Sequence, residues 1–349
     1  MYIETRRYLS ELDRYRALFP DWNALAGSSI LLTGGTGLIG TFLADMIVRH
    51  DDVANAGITL YVMGRNRDEA SRRFNHSFDG GSFRFIEADM ALPVKDLPKC
   101  DYIVHAGGNA HPAAFISNPV ETMRSNVLGT DGLLEHAVKT GVKSFLYVSS
   151  GEIYGKASGV DSFTEDYSGS VDITDPRSCY PSSKRAAETL CASYSLQYGL
   201  RTVIVRPCHV YGPTFTRSDN RIASRFLQDA LEGRDIVLKS DGSQIRSLCY
   251  VGDCAIGMLW ALIRGATGNA YNIASSDAPV SIRTFAETVA NTCGVRLVMD
   301  VATNAERSAF NRVERAVLDP SKLEALGWRS VTTLPEGIDR VISILRSEK

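Results

Sequence analysis

The chain has 349 residues, 44% of them hydrophobic, with 38 basic against 40 acidic side chains and a net charge of −2. That balance offers no broad cationic field for nucleic acid or an anionic membrane surface, and no window reaches the run of about 20 apolar residues that a membrane span needs. The 7 cysteines are scattered, with no CxxC pair and no zinc-like histidine spacing, so they fit reduced thiols in a cytoplasmic protein and predict no metal site.

Residues 1–26 read as a mostly polar helical extension, with Tyr2, Leu9, Leu12, Leu18, Phe19 and Trp22 available for docking. Alternating units follow. Strands are predicted at 29–32, 58–63, 83–87, 102–105 and 144–149, and helices from Leu38, near 121–139 and over 180–197. Apolar strands separated by helical periods predict an α/β fold, a Rossmann-like doubly wound parallel sheet with helices on both faces.

After Arg206 the alternation loosens, and turn-rich segments such as GPTFTRSDN and KSDGSQ separate short elements. A smaller, mixed C-terminal substrate-binding domain is expected over residues 208–246 and 277–349, with 27–207 and 247–276 forming the dinucleotide-binding domain. The polar stretch from Gly155 to Ser178 is too long for a plain connector and reads as a binding element or lid.

The first chemical motif is ILLTGGTGLIGTFLADMIV, in which Gly34, Gly37 and Gly40 fall at GxxGxxG spacing between a strand and an apolar helix. Glycines there permit a tight turn and close backbone approach, so diphosphate oxygens meet free N–H groups at a helix N-terminus. The groove is expected to be lined by Gly34, Thr36, Gly37, Leu38, Ile39, Met90 and Ala106, with Asp89 accepting from the adenine amino group. At the end of the second strand, Gly64 stands where a ribose-binding carboxylate is usual, and Arg65 follows. NAD is the expected cofactor, and the Gly64–Arg65 pair leaves NADP open because a guanidinium suits a 2′-phosphate.

The second motif is CYPSSKRAAETL, with Tyr180 four residues before Lys184. Residues at that spacing share a helix face, and an ammonium beside a phenol favours the phenolate. Such a group can take a proton from a substrate hydroxyl while the carbon gives hydride to a nicotinamide. The expectation is therefore a Tyr180 acidity raised by Lys184, with the Ser150 hydroxyl holding the same substrate oxygen.

Taken in order, TGGTGLIG, HAGGNAHP, NPVETMRSNVLGT, VSSGEIYG, CYPSSK, RPCHVYGP, DGSQIRSLCYVGD and YNIAS resemble the extended short-chain dehydrogenase/reductases that act on nucleotide sugars, from Gly27 to Trp328. The resemblance implies Ser150, Tyr180 and Lys184 as the catalytic triad, with Asn126 ordering the active-site helix at the substrate pocket. It implies oxidation at the sugar 4-position and return of the hydride by the same bound cofactor. Within the family the chain looks most like the UDP-glucuronate decarboxylases, which gives Glu152 a role in orienting the sugar or handling a proton. Arg246 and Arg221 are then expected on substrate phosphates, and His111 and His209 in the sugar pocket.

The chain departs from the family pattern at three places. Gly151 stands where the decarboxylases carry Ser or Thr and the 4,6-dehydratases Asp; His209 replaces an asparagine, and Lys239 an aromatic residue. A 4-epimerase or 4,6-dehydratase is the alternative enzyme, and a dinucleotide-binding regulatory protein the alternative without chemistry. A homodimer is expected through the helix pair that carries Leu133, Leu134, Ala137, Ala187, Leu190 and Cys191, although packing within one chain explains those residues equally well.

Overall fold

A computed structural model describes residues 5–347, apart from 76, 79, 93–95, 109, 111, 278 and 301–313. Seven parallel strands form the central sheet: β1 (Ser29–Thr33), β2 (Thr59–Gly64), β3 (Phe83–Glu87), β4 (Tyr102–His105), β5 (Ser144–Val148), β6 (Thr202–Pro207) and, after the short strands β7 (His209–Tyr211), β8 (Ile236–Leu238), β9 (Ile245–Arg246) and β10 (Leu248–Tyr250), β11 (Asn269–Ile273). Their order is β11-β6-β5-β4-β1-β2-β3. The direction of winding reverses between β1 and β4, which is where open α/β sheets bind ligands, at the carboxyl ends of the strands.

Strand residues alternate between two cores. Ile30, Leu32, Val62, Val104, Leu146 and Val205 face α2 (Leu38–Ala54) and α8 (Val251–Arg264). Leu31, Met63, Ile103, Phe145, Tyr147 and Ile204 face α5 (Pro119–Thr140) and α6 (Cys179–Tyr198). A sheet covered on both faces explains why its strands read as near-continuous apolar runs. Leu133, Leu134, Ala137, Ala187 and Cys191 lie in that second core with no exposed surface, so their apolar character belongs to packing within the chain.

Of the amino-terminal extension, α1 (Arg6–Leu18) docks against α2 and α8. Tyr8 donates to Asp45 at 2.8 Å, and Tyr15 stacks on Tyr250 at 5.7 Å. Gly252 admits the Tyr15 ring, because a β-carbon at that position would lie 2.3 Å from it. The stretch expected to be a lid is tied down instead. Arg185 donates to the carbonyls of Ile153 and Gly169, and Phe163 donates its N–H to Val317. Beneath it Arg206 pairs with Glu188 at 2.6 Å and donates to the Tyr154 hydroxyl at 2.9 Å.

Candidate active site

The turn from β1 into α2 has no room for side chains. Gly34 has φ +70°, and a β-carbon there would lie 2.5 Å from the Ala106 carbonyl oxygen; one on Gly40 would lie 2.2 Å from the Gly34 oxygen. The backbone after β1, the first turn of α2 and the backbone after β4 are thus packed directly on one another. Gly37 caps α2, and no side chain occupies its cap position. This cradle fits a dinucleotide diphosphate, with the amide groups at Leu38 and Ile39 as the donors; the Gly37 N–H, also expected there, is already given to the Gly34 carbonyl at 3.1 Å and closes the turn instead. Thr36 and Ile39 are half-buried at the mouth, whereas Leu38 is buried, leaving its backbone as the part that can serve a ligand.

Around this turn the other expected contacts separate. Ala106 presents its carbonyl to Gly34. Asp89 is half-buried, and its Oδ1 accepts the Ala91 N–H at 2.9 Å. Met90 packs beneath Gly129 of α5 and belongs to the core rather than to the groove. Arg65 is exposed immediately after β2.

Ser150, just beyond β5, is hydrogen-bonded through its side chain to Tyr180 in the first turn of α6. The same hydroxyl accepts the Glu152 N–H at 3.1 Å. Phe115, in α4 (Pro112–Ser117), stacks on the Tyr180 ring at 4.4 Å and 16°. Tyr180 is buried, and burial followed by the charge of Glu152 pushes its phenol up to about 12; the Ser150 hydrogen bond and Arg221 oppose the rise.

That direction corrects the expectation from the Tyr180–Lys184 spacing. Lys184 donates to the Val148 carbonyl at 2.8 Å, and its nitrogen stands 4.8 Å from the centre of the Tyr147 ring and 5.8 Å from that of Tyr180. The ammonium is spent on the end of β5 and on ring faces, and burial lowers its own pKa to about 8. It braces the helix against the strand and does not by itself ionise Tyr180.

Glu152 is half-buried. Burial pushes its carboxyl up, and the nearby charges of Arg177 and then Arg246 pull it partly back. Arg246 is buried and donates to the carbonyls of Ile245 at 2.8 Å and Glu314 at 3.3 Å. His209 opens β7 as an exposed residue, yet local enclosure of its ring and then the charges of Arg246 and Arg221 lower its pKa to about 4. Arg221 grips Asp219 through two nitrogens, at 2.9 and 2.5 Å, so a phosphate has to compete with that carboxylate. Asn126 lies wholly inside, donating to Ser183 at 2.9 Å; it orders α6 from within and offers no surface to a substrate. His111 lies outside the described residues. Lys239 is exposed and pairs with Asp300, and the place where a residue-151 β-carbon would sit is filled by Leu318, 3.1 Å away.

Three features were missed in reading the sequence. Arg177 stands three residues before Tyr180 within the polar stretch 155–178, and Phe115 follows HAGGNAHP by three residues. The third has no local signal. Gly107 donates its N–H to the Thr33 hydroxyl at 2.9 Å, Thr33 bonds His105 at 2.7 Å, and His105 bonds Thr130 at 3.0 Å. This buried chain joins the glycine turn to α5, and burial lowers the His105 pKa to about 3, keeping it neutral. Among the described residues no group of His, Cys, Asp and Glu could hold a metal ion, and no helix is long and apolar enough to cross a membrane.

Comparison with known proteins gives the same frame. The model of the NAD dependent epimerase/dehydratase family matches residues 30–274. The chain is similar to UDP-glucuronic acid decarboxylase 1 of Xenopus tropicalis, with 29% identity over 98% of this chain and 75% of that protein. It is 32% identical to UDP-glucuronic acid decarboxylase 6 of Arabidopsis thaliana, over 88% of this chain and 86% of the relative. Among solved structures, a UDP-glucose 4-epimerase of Thermotoga maritima with UDP-glucose superposes with a TM-score of 0.78 at 22% identity, covering 92% of this chain and 99% of that one. A dTDP-glucose 4,6-dehydratase from Streptomyces venezuelae with NAD bound gives 0.75 at 25% identity, covering 91% and 97%. With seven tenths of its length under one family model, and with the glycine cradle and the Ser150–Tyr180 pair on a doubly wound sheet, this chain belongs to the NAD dependent epimerase/dehydratase family.

Proposed function

We propose that the protein decarboxylates a nucleotide-activated uronic acid of the UDP-glucuronate type to the corresponding UDP-pentose, with tightly bound NAD. The observation that carries this reading is Glu152: a carboxyl pushed up by burial, flanked by Arg177 and Arg246, two residues beyond the serine that bonds Tyr180. The likeness to UDP-glucuronic acid decarboxylases over nearly the whole chain supports it.

NAD, when bound at the Gly34–Gly40 cradle, supplies a positively charged ring that accepts a hydride from sugar C4 and later returns it. Tyr180 takes the proton of the C4 hydroxyl, and Ser150 holds the same oxygen. Within this chain Ser150 and Arg221 are the groups that draw Tyr180 toward its ionised form. Lys184 fixes the helix that carries it.

The 4-ketone stands β to the sugar carboxylate. When the C5–C6 bond breaks, its electron pair moves toward the ketone oxygen and carbon dioxide leaves. Tyr180 and Ser150 hydrogen-bond the oxygen that gains this charge. C5 then needs a proton, and Glu152, which retains one more readily than an exposed glutamate, supplies it. Epimerisation would use Ser150, Tyr180 and Lys184 while giving Glu152 no task at C5; 4,6-dehydration needs an acid for the departing C6 hydroxyl as well as a base at C5, and Gly151 stands where the dehydratases carry Asp.

The expected homodimer enters as part of the proposal, through the outer face of α5, where Val120, Met123 and Leu128 are exposed. Light scattering on the eluting protein checks it: Leu128→Glu is expected to shift a dimer to monomer, and an unchanged mass refutes that face.

The reaction itself is tested with purified protein and no added cofactor, mixed separately with UDP-glucuronate, UDP-glucose, UDP-galactose and dTDP-glucose. The expected outcome is loss of carbon dioxide from UDP-glucuronate in the product mass spectrum. Loss of water from dTDP-glucose, or a UDP-glucose isomer with unchanged mass, would replace decarboxylation with one of the alternatives.

A further inference from the structure

Arg177 has no part in the proton handling assigned to Ser150, Glu152, Tyr180 and Lys184. Its backbone is pinned on both sides: Asp175 accepts its N–H at 2.9 Å, and the Cys179 thiol approaches its carbonyl at 4.0 Å. The chain enters α6 two residues later, so this segment moves with the helix that bears Tyr180.

Its side chain is differently placed from those of the other arginines around the cleft. Arg221 is held by Asp219, Arg206 by Glu188, Arg185 by two carbonyls, and Arg246 by the carbonyls of Ile245 and Glu314. Arg177 is half-buried, and its guanidinium makes no hydrogen bond or ion pair to any described residue. Its charge nevertheless acts on the Glu152 carboxyl more strongly than that of Arg246 does. A guanidinium that has lost part of its hydration without gaining a partner is poised for an anion, and its planar fork matches a carboxylate.

The uronic acid carries its carboxylate two bonds from C4, the carbon served by Tyr180, and Arg177 stands three residues before Tyr180, in the turn that leads into the same helix. We propose that Arg177 is a specificity-determining residue of this site, receiving the carboxylate of the sugar and keeping it apart from Glu152. The inference rests on a uronic acid being the substrate. A salt bridge stabilises charge that the departing carbon dioxide gives up, so the contact serves binding and orientation, not the bond-breaking step.

The test compares Arg177→Gln and Arg177→Lys, both in a Tyr180→Phe background that prevents turnover, by calorimetric titration of the full-length, NAD-loaded protein with UDP-glucuronate and with UDP-glucose. Arg177→Gln is expected to weaken UDP-glucuronate by roughly 10- to 100-fold, the range for a hydrogen bond to a charged group, and to leave UDP-glucose unchanged. Arg177→Lys should recover part of the loss, since it keeps the charge and loses the fork. Equal weakening of both sugars, or no change in either, overturns the proposal. If Arg177→Gln fails to fold, judged by circular dichroism and NAD content, the Arg177→Lys ratio of the two affinities decides in the same way. A parent protein that prefers UDP-glucuronate without decarboxylating it would overturn the reaction and leave the role of Arg177 standing.

Discussion

Tyr180 and Lys184 sit four residues apart, and the helix puts them on one side as that spacing requires. The acidity of the phenol, however, is set by what surrounds it. Burial, to which the stacked Phe115 ring belongs, and the charge of Glu152 come from segments outside the helix, and Lys184 turns to the Val148 carbonyl. Spacing in the sequence therefore identifies the pair without fixing the sign of its electrostatics. Arg221 gives a similar lesson at shorter range, because Asp219, only two residues away, takes its guanidinium. Glu152 is the residue on which the reading turns. Glu152→Gln should retain oxidation at C4, seen as a rise in reduced-nicotinamide absorbance, while pentose formation falls by about 100-fold or more. Pentose formation at the parental rate would remove Glu152 from the chemistry.

At the scale of elements, the strands and long helices were legible because burial on both faces gives the strands short apolar runs, and the helices begin and end at recognisable residues. Pro119 opens α5, and Gly141 and Gly199, both left-handed, close α5 and α6. The short strands after Arg206 were not legible: β7, β9 and β10 have two or three residues each, and their pairing is decided by distant segments. The glycine turn was legible for a reason that can be tested. A β-carbon on Gly40 would press on the Gly34 oxygen and the Gly35 backbone, so Gly40→Ala should yield folded protein largely without NAD. NAD retained at one equivalent would show that the turn tolerates the change.

The docking of α1 makes a second prediction at this scale. Burial raises the Asp45 carboxyl to about 7, against the pull of the Tyr8 hydrogen bond and Arg73. An acid whose folded value lies above its unfolded value of about 3.9 favours the fold in mild acid and loses that contribution as pH rises through the folded value. Raising pH from about 5 to about 8 should therefore lower Tm more in the parent than in Asp45→Asn, which cannot ionise. Parallel Tm curves for the two proteins would show that Asp45 does not titrate in this window.

For the whole molecule, the sheet order brings the turn after β1, Ala106 after β4 and Ser150 after β5 to one edge, where α6 delivers Tyr180 and β7 and β9 deliver His209 and Arg246. The site is thus assembled across the switch point from segments more than two hundred residues apart, counting from Gly34 to Arg246. Its central claim is that one sugar carbon is oxidised and reduced again against one retained nicotinamide. UDP-glucuronate carrying deuterium on sugar C4 measures this directly. The account predicts a UDP-pentose with the deuterium back on C4; label found in released nicotinamide, or a pentose with hydrogen there, would contradict it.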